Sequence, residues 1–247
     1  MERSDAPLRG RVVLILGGGR GLGRSIALGA TRLGAHVAVA SRSKPDLEAL
    51  QREIERETGA LPLVIVADAR DTGAVEEAVE TTRKRWGRVD AGVYNAGVGY
   101  WEAVTEMPEE RWDETLDTNL KGAFLFTRAV LPVMLAQRRG QLVYVSSRLA
   151  AEPLARYAAY CASKAGLRAF AEVVAKEAAD GGIRVTTVLP GLIDTGFSDG
   201  PHRRPRDQRP PQELMLSADE VADQILQVIR APDNAWVKEL FVYPARL

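Results

Sequence analysis

The chain has 247 residues, enough for one α/β domain with a sizeable core, and its 46% hydrophobic and 27% charged composition excludes disordered and fibrous classes. Lys plus Arg is 33 and Asp plus Glu is 33, so the net charge is zero, and nothing in the overall electrostatics calls for nucleic acid or an anionic membrane as partner. One cysteine, Cys161, and two histidines, His36 and His202, argue against an internal disulfide and against a cysteine- or histidine-rich metal site.

No run approaches ~18 uninterrupted apolar residues, so no membrane-crossing helix is expected. The polar stretch from Met1 to Arg11 lacks the apolar segment of a secretory signal, and a soluble, cytoplasmic protein is the expectation. Val12–Leu16 is nearly continuously apolar, as a strand buried on both faces is. Gly21–Leu33 carries Leu22, Ile26 and Leu33 on one stripe and predicts a helix; Ala35–Ala40 reads as a second strand. Pro45 suits the first turn of a helix over Pro45–Thr58, with Leu47, Leu50 and Ile54 at helical spacing. A strand at Leu61–Ala67, a helix at Thr72–Trp86 and a strand at Ala91–Asn95 follow. Pro108–Gln137 is a long helical pattern that Pro132 is expected to break or kink. Gln141–Ser146 is a strand, Arg156–Ala179 an alanine-rich helix and Arg184–Leu189 a strand. Ser217-Ala-Asp-Glu220 is a capping box opening a helix over Ser217–Arg230, and Glu239–Val242 is a last short strand.

This alternation predicts an α/β fold: a Rossmann-type, doubly wound parallel sheet flanked by helices, in a single domain over 1–247. The one compositional break is Pro201–Pro211, with four prolines and four arginines. It predicts a flexible substrate flap at about 196–215, locally +3. Such a segment is either a solvated loop or an attractor for an anionic substrate.

The first strand runs into Gly17-Gly-Gly-Arg-Gly-Leu-Gly23 and then a helix. Five glycines in seven residues permit a tight turn and let a phosphate approach the backbone, while the helix start offers free N–H groups and a positive dipole end. Gly17, Gly19, Arg20, Gly21, Leu22 and Gly23 are therefore candidate cofactor contacts. The end of the second strand, where an NAD-binding unit usually carries an acid, has Ser41 and Arg42. Arg42 can pair with a 2′-phosphate and Arg20 can add a second cation, which points to NADP(H), with NAD(H) as the alternative.

Tyr160 and Lys164 stand four apart on a predicted helix and share a face; Ser147 lies just past a strand end, at the edge where open α/β sheets bind ligands. A free tyrosine, with a pKa of about 10, is a poor acid–base group at neutral pH. A lysine ammonium within ~4 Å would lower it by roughly three units at an effective dielectric of about 20.

In order and spacing, these motifs resemble those of the single-domain short-chain dehydrogenases/reductases, over about residues 11–195. Leu16-Gly-Gly-Gly-Arg-Gly-Leu-Gly23 resembles the family's Thr-Gly-x-x-x-Gly-x-Gly, and Tyr94-Asn-Ala-Gly97 its Asn-Asn-Ala-Gly. Tyr160 follows Ser147 by thirteen positions, Asn119 falls at the family's helix asparagine, and Pro190-Gly-Leu-Ile-Asp-Thr195 matches its nicotinamide-side loop. The resemblance implies that Tyr160 exchanges a proton with the substrate oxygen, Ser147 hydrogen-bonds that oxygen, Lys164 lowers the tyrosine pKa and holds the nicotinamide ribose, and Asn119 positions a water in a proton relay. It also implies cofactor contacts at Asp68, Ala69, Asn95, Ala96, Gly97, Pro190, Gly191, Ile193 and Thr195, together with Tyr160 and Lys164. Leu16, Gly19 and Tyr94 depart from the family pattern. Tyr157 is followed four positions on by Cys161 and lacks a lysine partner; Cys161 reads as a packing residue.

A substrate pocket is expected around Trp101, Ser147, Leu149, Leu154, Tyr157 and Phe197. The resemblance further implies a homotetramer or homodimer through the helices of Asn119 and Tyr160. The function implied is interconversion of a small-molecule carbonyl compound and an alcohol by hydride transfer, with no nucleic acid, membrane or metal. The competing expectation is a dinucleotide-binding sensor or scaffold of the same fold without turnover.

Overall fold

In β1 (Val12–Leu16) every residue is buried, with Val13 and Ile15 facing one side and Leu14 and Leu16 the other. That pattern needs helices on both faces, and the computed structural model supplies them; it describes residues 6–199 and 202–245. Pro201 of the expected flap and the first five residues of the polar N-terminal stretch lie outside the described residues.

The chain runs through α1 (Gly21–Arg32), β2 (His36–Ser41), α2 (Lys44–Thr58), β3 (Leu63–Val66), α3 (Thr72–Trp86) and β4 (Ala91–Tyr94). It continues through α4 (Glu109–Leu116), a π-helical turn at Asp117–Lys121, α5 (Gly122–Gln137), β5 (Gly140–Val145), α6 (Ala158–Ala178) and β6 (Ile183–Pro190). Then come β7 (Ile193–Asp194), β8 (Leu216–Ser217), α7 (Ala218–Ile229) and β9 (Glu239–Val242). Among the described residues the main sheet has seven strands, all paired in parallel, in the order β3-β2-β1-β4-β5-β6-β9. Helices α1, α2 and α7 cover one face with Ile26, Leu47, Ile54 and Ile225. Helices α3, α5 and α6 cover the other with Val79, Phe126, Met134 and Leu167. The chain leaves β1 toward β2 and β3, then crosses back to lay β4 on the other side of β1. A crevice therefore opens at the carboxyl ends of β1 and β4, where the order reverses.

Local signals account for the helix starts. Ser43 accepts from the Asp46 N–H ahead of α2, Asp71 from the Ala74 N–H ahead of α3, and Ser217 and Glu220 form the expected capping box. Pro132 does not break its helix: α5 passes through it. Pro132 and Arg128 are exposed, so the Arg128 carbonyl that loses its partner faces water. The irregularity lies earlier, at the π turn, where the fully buried Tyr94 hydroxyl donates to the Thr118 carbonyl. By length and composition 109–137 is apolar enough to cross a membrane, but Ala123, Phe126, Val130 and Met134 are buried in the core of the fold.

The proline–arginine segment is held at its base. Ile193 pairs with Leu216 and Asp194 with Ser217, so β7 and β8 join the two ends of the flap. Within it, Arg206–Gln208 and Gln212–Leu214 form short helical turns, and the Trp101 N–H donates to the His202 carbonyl at 2.8 Å.

Candidate active site

A cleft of about 800 Å³ occupies the crevice. Gly17, at φ +90°, turns the chain out of β1; a Cβ there would strike the backbone of Asn95 and Ala96, so only glycine lets the two strand ends close up. The Asn95 side chain ties the turn by donating to the Gly17 carbonyl at 2.7 Å. Helix α1 begins without a side-chain cap and without an acidic residue in its first turn. Its N–H groups and positive dipole end thus face the cleft with no competing side-chain acceptor, the arrangement that suits a diphosphate.

Every candidate cofactor residue lines this cleft except Gly23, which sits one turn inside α1 and whose place a Cβ would drive into the Gly17 carbonyl. At the far end lie Ser41, Arg42 and Asp68. The buried Ser41 hydroxyl has no hydrogen-bond partner among the described residues. Arg42 is half-exposed, with Glu114 at 4.0 Å. Asp68 is held by Arg70 at 2.7 Å, which keeps its carboxyl below the usual range. One residue overlooked in the sequence is Asp46, which enters the cleft from the first turn of α2. The strand end carries no acid, but this carboxylate comes from the next element, a contact that spacing along β2 does not reveal.

Ser147, Tyr160 and Lys164 meet on the wall of the cleft. Ser147 follows β5, and its Oγ accepts from the Leu149 N–H at 3.2 Å. Burial dominates the Tyr160 phenol and pushes its pKa up to about 12, with the neighbouring Ser147 hydroxyl pulling the other way. Lys164 is 3% exposed, and burial lowers it to about 7. Its Nζ donates to the Val145 carbonyl at 2.8 Å and lies 5.7 Å from the centroid of the Tyr160 ring. The backbone carbonyl of β5 takes the amine, and burial rather than a charged neighbour sets its pKa. In this state the pair favours a neutral phenol, a proton donor.

Asn119 does not line the cleft. Its Nδ2 donates to the Val98 carbonyl at 2.8 Å and to Ser163 Oγ at 2.9 Å, while its Oδ1 accepts from the Val98 N–H at 2.8 Å. Three of the four hydrogen bonds that its amide can make go to the loop after β4 and to α6, so it fastens those elements together. Gly97 fits between: a Cβ there would sit 3.3 Å from Asn119 Oδ1 and 3.5 Å from Lys164 Nζ. Tyr94, which replaces the family's first asparagine, braces the same region through Thr118.

On the substrate side, Leu149, Leu154, Tyr157 and Phe197 line the cleft as expected. The Phe197 and Tyr157 rings each lie 5.9 Å from Tyr160. Trp101 does not reach the cleft; it backs Tyr157 edge-on at 5.0 Å. Cys161 is buried as a packing residue. Arg204 and Arg209 of the flap do line the cleft, though composition alone marked them only as part of a charged loop. Among the described residues no cluster of potential metal ligands occurs.

A seven-stranded parallel sheet with a glycine turn at its switch point defines a Rossmann-type nucleotide-binding fold. The short chain dehydrogenase model matches residues 11–204, and the chain belongs to that family of oxidoreductases. It is 33% identical to a sepiapterin reductase of Chlorobaculum tepidum, over 94% of this chain and 96% of that protein. To a 3-oxoacyl-acyl-carrier-protein reductase of Thermotoga maritima it is 36% identical, covering 93% and 94% of the two chains. Among solved structures, a metagenomic short-chain oxidoreductase in complex with NADP superposes with a TM-score of 0.84 at 30% identity, covering 98% of this chain and all of the other.

Proposed function

We propose that the protein is an NADP(H)-dependent oxidoreductase that interconverts a carbonyl compound and an alcohol, with Tyr160 as general acid–base. The observation that carries this reading is the convergence of Ser147, Tyr160 and Lys164 on one wall of a cleft whose other wall is the uncapped start of α1. The relatives point the same way, two being named reductases and one solved with NADP.

When bound, the nicotinamide supplies or accepts the hydride. The N–H groups at the start of α1 take the diphosphate, and Asp68 sits at the adenine end. Arg42 and the unpartnered Ser41 hydroxyl receive the 2′-phosphate, with Arg20 as a further cation. Ser147 donates a hydrogen bond to the substrate oxygen. Tyr160 gives its hydroxyl proton to that oxygen as negative charge develops there. A phenol with a pKa near 12 is fully protonated at neutral pH, which suits carbonyl reduction; the reverse direction needs Lys164 charged beside it. Leu149, Leu154 and Phe197 shield the reacting bond from water. Phe124 and Val173, exposed apolar side chains on α5 and α6, are the face through which we propose a homodimer or homotetramer forms.

The test is a reduction screen over ketones, aldehydes, quinones and acyl thioesters, with NADPH and NADH in parallel, on wild type and Tyr160→Phe. Turnover is expected to fall at least ~100-fold in the variant while NADPH binding, read by fluorescence, persists. Unchanged turnover would remove Tyr160 from the mechanism. Cofactor binding by wild type without reduction of any compound would favour a silent sensor.

A further inference from the structure

We infer that the substrate carries an anionic group, a carboxylate or phosphate, which Arg204 of the flap receives at the mouth of the cleft, with Arg203 adding its charge from behind Phe197; this rests on the reductase reading and specifies its substrate class. Arg203 is half-buried, its guanidinium 5.0 Å from the Phe197 ring centroid and 5.3 Å from that of Tyr100. Arg204 lines the cleft with its guanidinium 5.5 Å from the Trp101 ring centroid. Stacking on ring faces holds a guanidinium while leaving its edge for a planar or tetrahedral acceptor. Arg203 Nη1 and Arg204 Nε are buried and have no hydrogen-bond partner among the described residues.

Nearby carboxylates are engaged elsewhere. Asp199 pairs with Arg209 at 3.0 Å and Arg206 at 3.6 Å. Glu102 holds Arg111 and His202 through Oε1, its buried Oε2 having no hydrogen-bond partner among the described residues, and Glu114 accepts from Tyr100 with Arg70 at 3.8 Å. Two cations with buried, unpaired nitrogens are unfavourable unless something completes them. The site of completion is the substrate end: Arg204 lines the cleft with Tyr157, Tyr160 and Phe197, and Arg203 stacks on that Phe197 ring, which lies 5.9 Å from Tyr160. The diphosphate has its own cradle at the start of α1. An oxo or hydroxy acid would therefore set its reacting carbon at Tyr160 and its acid group on the flap.

The experiment compares kcat/KM for 4-acetylbenzoate, 4-acetylphenyl phosphate and neutral methyl 4-acetylbenzoate, with NADPH. Wild type is expected to favour at least one anion over the ester by at least tenfold, and which anion wins separates carboxylate from phosphate. Arg203→Gln/Arg204→Gln should bring that ratio close to one, whereas Arg204→Lys should keep most of it. A ratio near one in wild type, or one unchanged in the double variant, overturns the inference. So does a rise in the KM for NADPH with the ratio intact, which would assign the arginines to the cofactor. Failure of all three compounds to turn over would count against the reductase reading alone. Calorimetric titration of 4-acetylbenzoate and its methyl ester into the NADP-saturated protein then decides the anion site: tighter binding of the acid supports it and equal binding refutes it.

Discussion

Lys164→Met separates what the buried amine does for chemistry from what it does to stability. In the unfolded chain this amine titrates near 10.5, in the folded protein at about 7. Between those values the unfolded state binds more protons, so stability rises with pH from about 7 toward 10.5. Below pH 7 the fold must bury the charged amine, which costs about 5 kcal/mol at ~1.4 kcal/mol per pKa unit, and about 4 kcal/mol at pH 7 itself. Methionine has similar length and no charge, but it gives up the 2.8 Å bond to the Val145 carbonyl. Leaving that acceptor short of a donor costs back about 1–3 kcal/mol. The variant should therefore be more stable than wild type by about 1–4 kcal/mol at pH 6–7, and the gain should vanish toward pH 10. Turnover should fall at least ~100-fold over the same range. Urea unfolding of both proteins from pH 6 to 10 checks this. The series stops at pH 10 because Tyr160, raised to about 12, acts the opposite way: above 10 the unfolded phenol ionises first and stability falls. A variant less stable than wild type at pH 6.5, or a difference flat in pH, would refute the reasoning.

Arg42→Ala is expected to raise the KM for NADPH about 10- to 100-fold, matching ~1.5–3 kcal/mol for a hydrogen bond to a charged group, while NADH is little affected. Steady-state kinetics with both cofactors reads this, and an equal change for the two would count against a 2′-phosphate at Arg42. Tyr94→Phe removes the hydroxyl that holds the Thr118 carbonyl at the π turn and should cost about 1–3 kcal/mol, or roughly 2–12 °C in Tm for a chain of this size. Differential scanning calorimetry checks it, and an unchanged Tm would mean that the turn holds itself.

The sheet and many of the residues gathered at the cleft were legible because their signals are local. Val12–Leu16 reads as a doubly buried strand from composition alone, the glycine turn announces itself at its end, and Tyr160 and Lys164 share a helix face by spacing. Features that depend on distant partners were not legible. Asn119 spends its side chain on Val98 and Ser163, 21 and 44 positions away. Trp101 stops behind Tyr157, and Asp46 enters the cleft from a neighbouring element. Proline chemistry pointed to a break or kink at 132; the helix runs unbroken through that residue on its wet side, and its hydrogen bonding widens to a π turn where Tyr94 reaches a carbonyl. The four-residue spacing sets Lys164 on the face of Tyr160, yet the pull of the Val145 carbonyl and the weight of burial emerge only from three-dimensional packing.

The short parallel pairing of Ile193 with Leu216 gives the flap a closed stem. Because both ends are fastened there, whatever hangs beyond the stem can be lengthened or replaced while the sheet keeps its register; loop-closure entropy grows only slowly with length. Grafting a different segment onto that stem, joined after Phe197, would thus retune which molecules enter while Thr195 stays at the Gly21 turn and Phe197 stays against Tyr160, making the stem a natural splice point for altering selectivity.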